Sequence, residues 1–241
     1  MAEAKKAGRA VAVLALVVGL AALAAVLLAG PGSRMGWWSY RTALGTMLVW
    51  AAYGGLAAAV LSLIALILGG RRGLAALALV LALGAFLPPF LFRRTAQSVP
   101  PIHDVSTDTE NPPPFVAVLE QRAGAANPAE YGGAEVAAQQ KKGYPDLRPV
   151  TLADPPPRAF ERALEAARGQ GWEIVAAVPA EGRIEATDTT RWFGFKDDVV
   201  VRVKPEGTGS RVDVRSLSRV GRSDVGKNAS RIRAYLSALG S

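Results

Sequence analysis

Three long apolar runs and one tract of strict alternation dominate the hydrophobic pattern of this chain. The first run covers residues 10–30 behind Lys5, Lys6 and Arg9, and two more cover about 43–68 and 74–92 around the join Gly69-Gly70-Arg71-Arg72-Gly73. At about 1.5 Å per residue, each is long enough as a helix to cross a hydrocarbon core of roughly 30 Å. The short join makes the second and third a helical hairpin. A secretory signal is the competing reading of the first run, but the apolar region of a signal is usually only about 7 to 15 residues. No Asp, Glu, Lys, Arg or His lies within any span, which argues against a pump or carrier, whose ion relay needs such groups near the midplane.

The alternating tract lies near the other end of the chain. Val199, Val201 and Val203 fall on one face with Val200, Arg202 and Lys204 on the other, and Val212 and Val214 alternate with Arg211, Asp213 and Arg215. This is the period of strands with one buried face. Residues 205–210 between them are too few for a crossover helix, so the pair is an antiparallel hairpin. Ile184, Ala186 and the run to Trp192 predict a third strand, Trp172 to Val178 a fourth, and Gly182 sits in the turn between them. Phe160, Ala163, Leu164 and Ala167 share a helical face behind Pro156 and Pro157, with the stop at residues 169–171. Val225, Ala229, Ile232, Leu236 and Leu239 give the final helix one apolar stripe, opposite Lys227, Arg231 and Arg233.

The expected fold class is α+β: three N-terminal transmembrane helices, then a small domain with a four-stranded antiparallel sheet and two packed helices. Its expected parts are a membrane anchor over 1–94, a Pro-rich segment over 95–157 and the α+β domain over 158–241. The middle segment holds eleven of the sixteen prolines, which excludes helix over most of it. It reads as an extended wrap lying against the domain, with 124–142 its most mobile tract.

Charge sharpens this picture. The chain carries a formal +8, yet residues 1–94 supply all of it, with nine basic residues and only Glu3, while residues 95–241 are neutral. The excess is membrane flank, and no nucleic-acid partner is expected. Inside the neutral part, residues 202–241 hold +6 and residues 95–201 hold −6, as internal complementarity or an anion-seeking end would. Lys5, Lys6, Arg9, Arg71 and Arg72 fall on one side of the membrane against Arg34, Arg41, Arg93 and Arg94 on the other, so the usual rule puts the N-terminus in the cytoplasm and the domain outside it. With no cysteine there is neither disulfide nor thiolate chemistry.

Three separated motifs, IHDVSTDTENPPPF from Ile102, RWFGFKDDVVVRV from Arg191 and SLSRVGRSDVGKNASRIRAYL from Ser216, resemble the domain-of-unknown-function family DUF1499. The resemblance covers about residues 99–239. It implies an envelope location in bacteria or plastids, often behind N-terminal membrane spans, and brings no activity.

Function therefore has to be sought in individual residues. His103 is the only histidine, and neither a Gly-x-Ser-x-Gly elbow nor an HExxH pair accompanies it. The catalytic candidates are His103, Asp104 and Asp108, with Asp188 as a further carboxylate; no metal and no cofactor is expected. A stronger local pattern runs from Arg215 through Arg219, Arg222, Ser223, Asp224, Lys227 and Asn228, where free amides at a helix start and nearby cations suit an anion. The competing reading is internal: Arg219 and Arg222 hold the acidic 104–110 segment and Asp224 fills the helix start, a version that the opposed +6 and −6 halves favour. Trp192, in the connection Arg191 to Asp198, is either a cap on the core or a pocket rim or membrane-contacting tip. The reading that follows is a membrane-anchored extracytoplasmic module of the bacterial inner membrane, for binding or scaffolding. Its expected partners are the lipid bilayer and an anionic envelope ligand or a membrane protein; the alternative is a carboxylate-dependent envelope hydrolase.

Overall fold

Helical capping and small-residue spacing set up the first of two units. In a computed structural model that describes residues 1–240, three helices are long and apolar enough to cross a membrane: α1 (Ala2–Arg34), α2 (Tyr40–Leu68) and α3 (Arg72–Ser98). Ser39 starts α2 by accepting the Thr42 N–H on its hydroxyl at 3.0 Å, and a single π turn over Ala43–Met47 follows. Buried small residues recur at alternating steps of three and four: Ala12, Ala15, Gly19 and Ala22 in α1, Ala51, Gly55, Ala58 and Ser62 in α2, Ala75, Ala78, Ala82 and Ala85 in α3. This is the repeat by which helices close on one another without large side chains between them. Gly55 is required there, because a Cβ would come within 2.8 Å of the Ala82 carbonyl oxygen. Ala21 is exposed and Ala59 only part-buried, so the seam uses Ala22 and Ala58 instead of those neighbours. Gly70, at φ +112°, lies so close to the start of α1 that a Cβ would meet the Lys5 oxygen at 2.6 Å, which groups Lys5, Lys6 and Arg9 with Arg71 and Arg72 at one end. Helix α3 runs to Ser98, six residues past the expected limit at Phe92.

The second unit is built on β5 (Lys196–Glu206) and β6 (Gly209–Ser218), the hairpin that the alternation predicts, with Val203 opposite Val212 and Val201 opposite Val214. Two strands flank β5 in sequence order, β3 (Glu173–Val178) and β4 (Arg183–Thr189), every pairing antiparallel. Gly182 takes φ +61° in the turn before β4, with the Val203 oxygen 2.0 Å from where its Cβ would stand, so this turn needs glycine. The sheet has six strands, not four. The other edge of β6 is taken by β1 (Asp104–Ser106) and β2 (Val150–Leu152), both from the Pro-rich segment. Strands of three residues are too short to show a period, and their hydrogen bonds exist only against β6. The same segment holds α4 (Gly133–Gly143) inside the tract expected to be mobile; no proline falls within it, so its alanines, glutamines and lysines follow their helix propensity.

Helices α5 (Pro156–Gly169) and α6 (Lys227–Gly240) cover one sheet face. There Phe160, Ala163, Trp172, Val199, Val201, Val214, Ile232 and Tyr235 form the main core. Trp172 stacks on Tyr235 at 5.1 Å between ring centroids, and the Tyr235 hydroxyl donates to the Ala163 carbonyl at 2.9 Å. Each such side chain contributes roughly 1.5–3 kcal/mol by leaving water. The opposite face, which the alternation marks as polar and open, is buried as well. Phe115, Val118, Val200 and Leu217 form a second cluster there, and Glu185, Asp198, Asp213 and Arg215 are all under 4% exposed.

Candidate functional site

This second face gathers most of the domain's unusual chemistry. Because side chains alternate, β4 presents Glu185 and Thr187, β5 presents Asp198 and Arg202, and β6 presents Asp213 and Arg215 on the side away from α5 and α6, where Arg219, one residue past β6, also reaches Asp198. Burying such charges is costly unless each is paired and hydrogen-bonded. Here they are. Asp198 accepts from Thr187 Oγ1 at 2.7 Å, from Arg122 Nη1 at 2.5 Å and from Arg219 Nε and Nη2 at 2.9 and 2.8 Å. Burial pushes its carboxyl up, but the bonds from Arg219, Thr187 and Arg122 outweigh that and hold it below the ordinary value. Arg202 reaches Asp213 through Nε at 3.0 Å and Asp108 through Nη2 at 3.1 Å, and Arg211 bridges the same two carboxylates.

The chain from 104 to 131 is clamped onto this face. Arg215 holds Asp104 with two parallel bonds, donates to the Pro113 and Ala129 carbonyls, and lies 4.9 Å from the Phe115 ring centroid. Burial raises the Asp104 carboxyl, and Arg215, His103 and Arg122 lower it only in part. Glu185 accepts the backbone N–H groups of Val116, Ala117 and Val118 at 2.9 to 3.1 Å, at the start of a 3-10 turn over Ala117–Arg122, and also pairs with Arg183. A carboxylate on free amides at a helical start is the arrangement by which proteins hold anions; here the anion is the protein's own. Tyr131, whose ring lies 5.4 Å from the Arg215 guanidinium, has a buried hydroxyl with no partner among the described residues, and burial pushes its pKa up to about 12.

The residues singled out from sequence separate into several environments. Arg215 and Arg219 belong to the buried network, and Arg219 binds Asp198 instead of the 104–110 acids, of which Arg215 takes Asp104, Arg202 and Arg211 take Asp108, and Lys141 takes Glu110. Arg222 and Lys227 have exposed side chains, while the Arg222 carbonyl accepts from His103 Nδ1 at 3.2 Å, so that nitrogen carries the proton. Asp224 caps α6: it accepts from the Gly226 N–H at 2.8 Å and the Asn228 N–H at 2.7 Å, and burial raises its pKa against those two bonds. Ser223 accepts the Val225 N–H at 3.1 Å. Asn228 is fully buried on the α6 side, bonded to Ser216, Ser218 and the His103 carbonyl. Trp192 lies in the turn between β4 and β5 and is 46% exposed. Asp104 and Asp108 are held by different arginines, Arg215 for the first and Arg202 and Arg211 for the second, and among the described residues no group of three or more His, Asp or Glu side chains is placed to hold a metal.

Several members of the network were not signalled by sequence. Arg231 binds Asp188 and Asp197 through Nη2 at 2.7 and 2.6 Å, and Arg122, Glu185, Asp198, Arg202 and Asp213 complete the opposite side. The alternation does place Arg202, Asp213 and Arg215, charges of both signs, on one face, but opposite charges pair across strands on solvated faces as well, so it carries no sign of the cover. Val225, next to the α6 cap, takes φ +54°, a conformation that strains a β-branched residue.

These features define a class: an antiparallel sheet covered on one face by two helices and on the other by its own leading segment, in a chain with three N-terminal apolar helices. The chain belongs to the family described as "Protein of unknown function (DUF1499)", whose sequence profile matches residues 104–239. That range starts at the first residue of β1 and ends in α6, so it takes in both the clamped segment and the sheet. No curated protein matches the chain.

Proposed function

We propose that the protein is a membrane-anchored binding or scaffolding module of the bacterial inner membrane, with its α+β domain held outside the cytoplasm. The observation that carries this reading is the state of the buried carboxylates. Asp104, Asp198 and Asp213 are each held by a guanidinium, and Asp224 is committed to the α6 amides. A general acid or nucleophile needs a carboxyl free to exchange a proton or attack, so the geometry favours a rigid recognition body over a carboxylate-dependent hydrolase. The orientation rests on the five basic residues grouped at the α1 start and the α2–α3 join, which the positive-inside tendency puts in the cytoplasm.

Two measurements test this. Alkaline phosphatase fused after residue 240 is active if the domain is exported and inactive if it stays in the cytoplasm, which would overturn the location. Gentle native mass spectrometry of the full chain in detergent should retain a ligand or a protein partner; turnover that Asp108→Asn abolishes in a folded protein would establish the hydrolase instead.

A further inference from the structure

The cations clamped in the sheet network are spent, so an external anion has to be met by others. One cavity of the domain gathers them. It has a volume of about 310 Å³ and lies where the chain after β1 meets α4 and the segment behind it, lined by Thr107, Thr109, Lys141, Tyr144 and Arg148 with Pro145, Leu147 and Gln140. Among the described residues no carboxylate lines it. Arg148 is exposed and forms no ion pair among the described residues, while Lys141 pairs only with Glu110 at the surface, where both side chains are more than half exposed. Such a pair is worth little and yields readily to a better anion.

The hydroxyls point the same way. Thr107 is 5% exposed and its Oγ1 accepts the Val214 N–H at 2.8 Å, which leaves its own proton as a buried donor with no protein acceptor among the described residues. Thr109 forms no side-chain bond at all among them. An unspent buried donor costs stability unless water or a ligand takes it. The cavity thus gathers donors: an ammonium held only by the exposed Glu110, a guanidinium fork and two hydroxyls, beside a wall of Tyr144, Pro145 and Leu147.

We propose that this cavity binds a phosphate group carried on a small, partly apolar body, a ligand class that deepens the binding reading above and rests on it. Arg148 supplies the two-pronged contact that a phosphate accepts and Lys141 the point charge. Thr107 and Thr109 donate to the remaining oxygens, and two cations match the charge of about −1.5 to −2 that a phosphate group carries, where a carboxylate brings only one. The volume is at the small end of ligand pockets, which fits a headgroup-sized molecule.

The experiment is calorimetric titration of inorganic phosphate and of glycerol phosphate into the full chain in phosphatidylcholine nanodiscs, beside nanodiscs that also contain phosphatidic acid. Wild type is expected to bind, and Arg148→Gln and Thr109→Val each to weaken binding about tenfold, with the thermal unfolding midpoint unchanged because neither side chain is paired. Arg168→Gln, an exposed arginine on α5, leaves affinity as it is. Suppression of phosphate binding by phosphatidic acid identifies a lipid headgroup as the source, and equal binding in both nanodiscs identifies a soluble phosphate ester; either supports the site. Absence of binding, or equal weakening by Arg168→Gln, overturns it. If native mass spectrometry still finds a ligand elsewhere on the domain, only the site fails; if it finds none and no partner, the binding reading fails too.

Discussion

Arg215 and Asp104 face each other through two parallel bonds, Nε to Oδ1 at 2.9 Å and Nη2 to Oδ2 at 2.7 Å, across 111 residues of chain. Both side chains are almost completely buried, so each is tolerable only in the presence of the other. Asp104→Ala leaves an uncompensated guanidinium and is expected to cost about 3–5 kcal/mol. Replacing both partners, with Asp104→Leu and Arg215→Met, costs markedly less than the sum of the single changes. A double-mutant cycle on the full chain in micelles, following the near-ultraviolet dichroism of the Trp172–Tyr235 stack, measures the coupling; simple additivity would disprove the clamp.

Two of these carboxylates respond to pH with opposite signs. Asp198 is held below the ordinary value once Arg219, Thr187 and Arg122 outweigh its burial; its ionised form is the one the fold favours. Its contribution is therefore fully present above about pH 4 and is lost as pH falls through the depressed folded value. Asp104 is raised, chiefly by burial, so its contribution is present below about pH 4 and is lost as pH rises through the raised folded value. Asp198→Asn should destabilise the domain at pH 7, and the gap to wild type should close as pH falls below about 4. Unfolding midpoints from pH 3 to 8 for the two proteins check this.

Glu185 holds the 116–122 turn through three amides and is itself fully buried. Glu185→Gln keeps the shape but loses the charge and offers only one oxygen, an expected loss of about 1.5–3 kcal/mol. That loss should be local. Limited proteolysis between residues 112 and 122 speeds up by at least about tenfold, whereas protection of the core against hydrogen exchange at Val201 and Val214 is retained.

Val225 stands at φ +54° beside the α6 cap. Val225→Gly removes the steric penalty of a branched Cβ in the left-handed region, at some cost in unfolded-state entropy, for a net gain of about 1 kcal/mol. A rise in the thermal midpoint is the expected result, and a fall would show that the valine side chain contributes packing that outweighs the strain.

Much of the architecture is legible in the order of residues. The three spans follow from runs of apolar residues long enough to cross a bilayer, because helix length in hydrocarbon is a local property of composition. The β5–β6 hairpin and the two core helices follow from periods of two and of three to four, again local. What the local pattern could not show is that the second sheet face is covered. Alternation reports that Val200, Arg202, Asp213 and Arg215 share a side, and by itself such a side reads as solvated.

Only the tertiary structure decides otherwise, because the cover comes from a segment whose strands are three residues long and whose prolines hide any period. Its hydrogen bonds and ion pairs are made across about 70 to 110 residues of sequence, so no window along the chain contains both partners. The same reason separates the candidate residues. The run from Arg215 to Asn228 is contiguous in sequence, yet the strand and helix that carry it send Arg215 and Arg219 to one sheet face and Asn228 to the other, and leave Arg222 and Lys227 in solvent. Sequence determines which charges this protein has and on which strand face they stand; the fold determines which of them cancel and which, like Arg148, are left over.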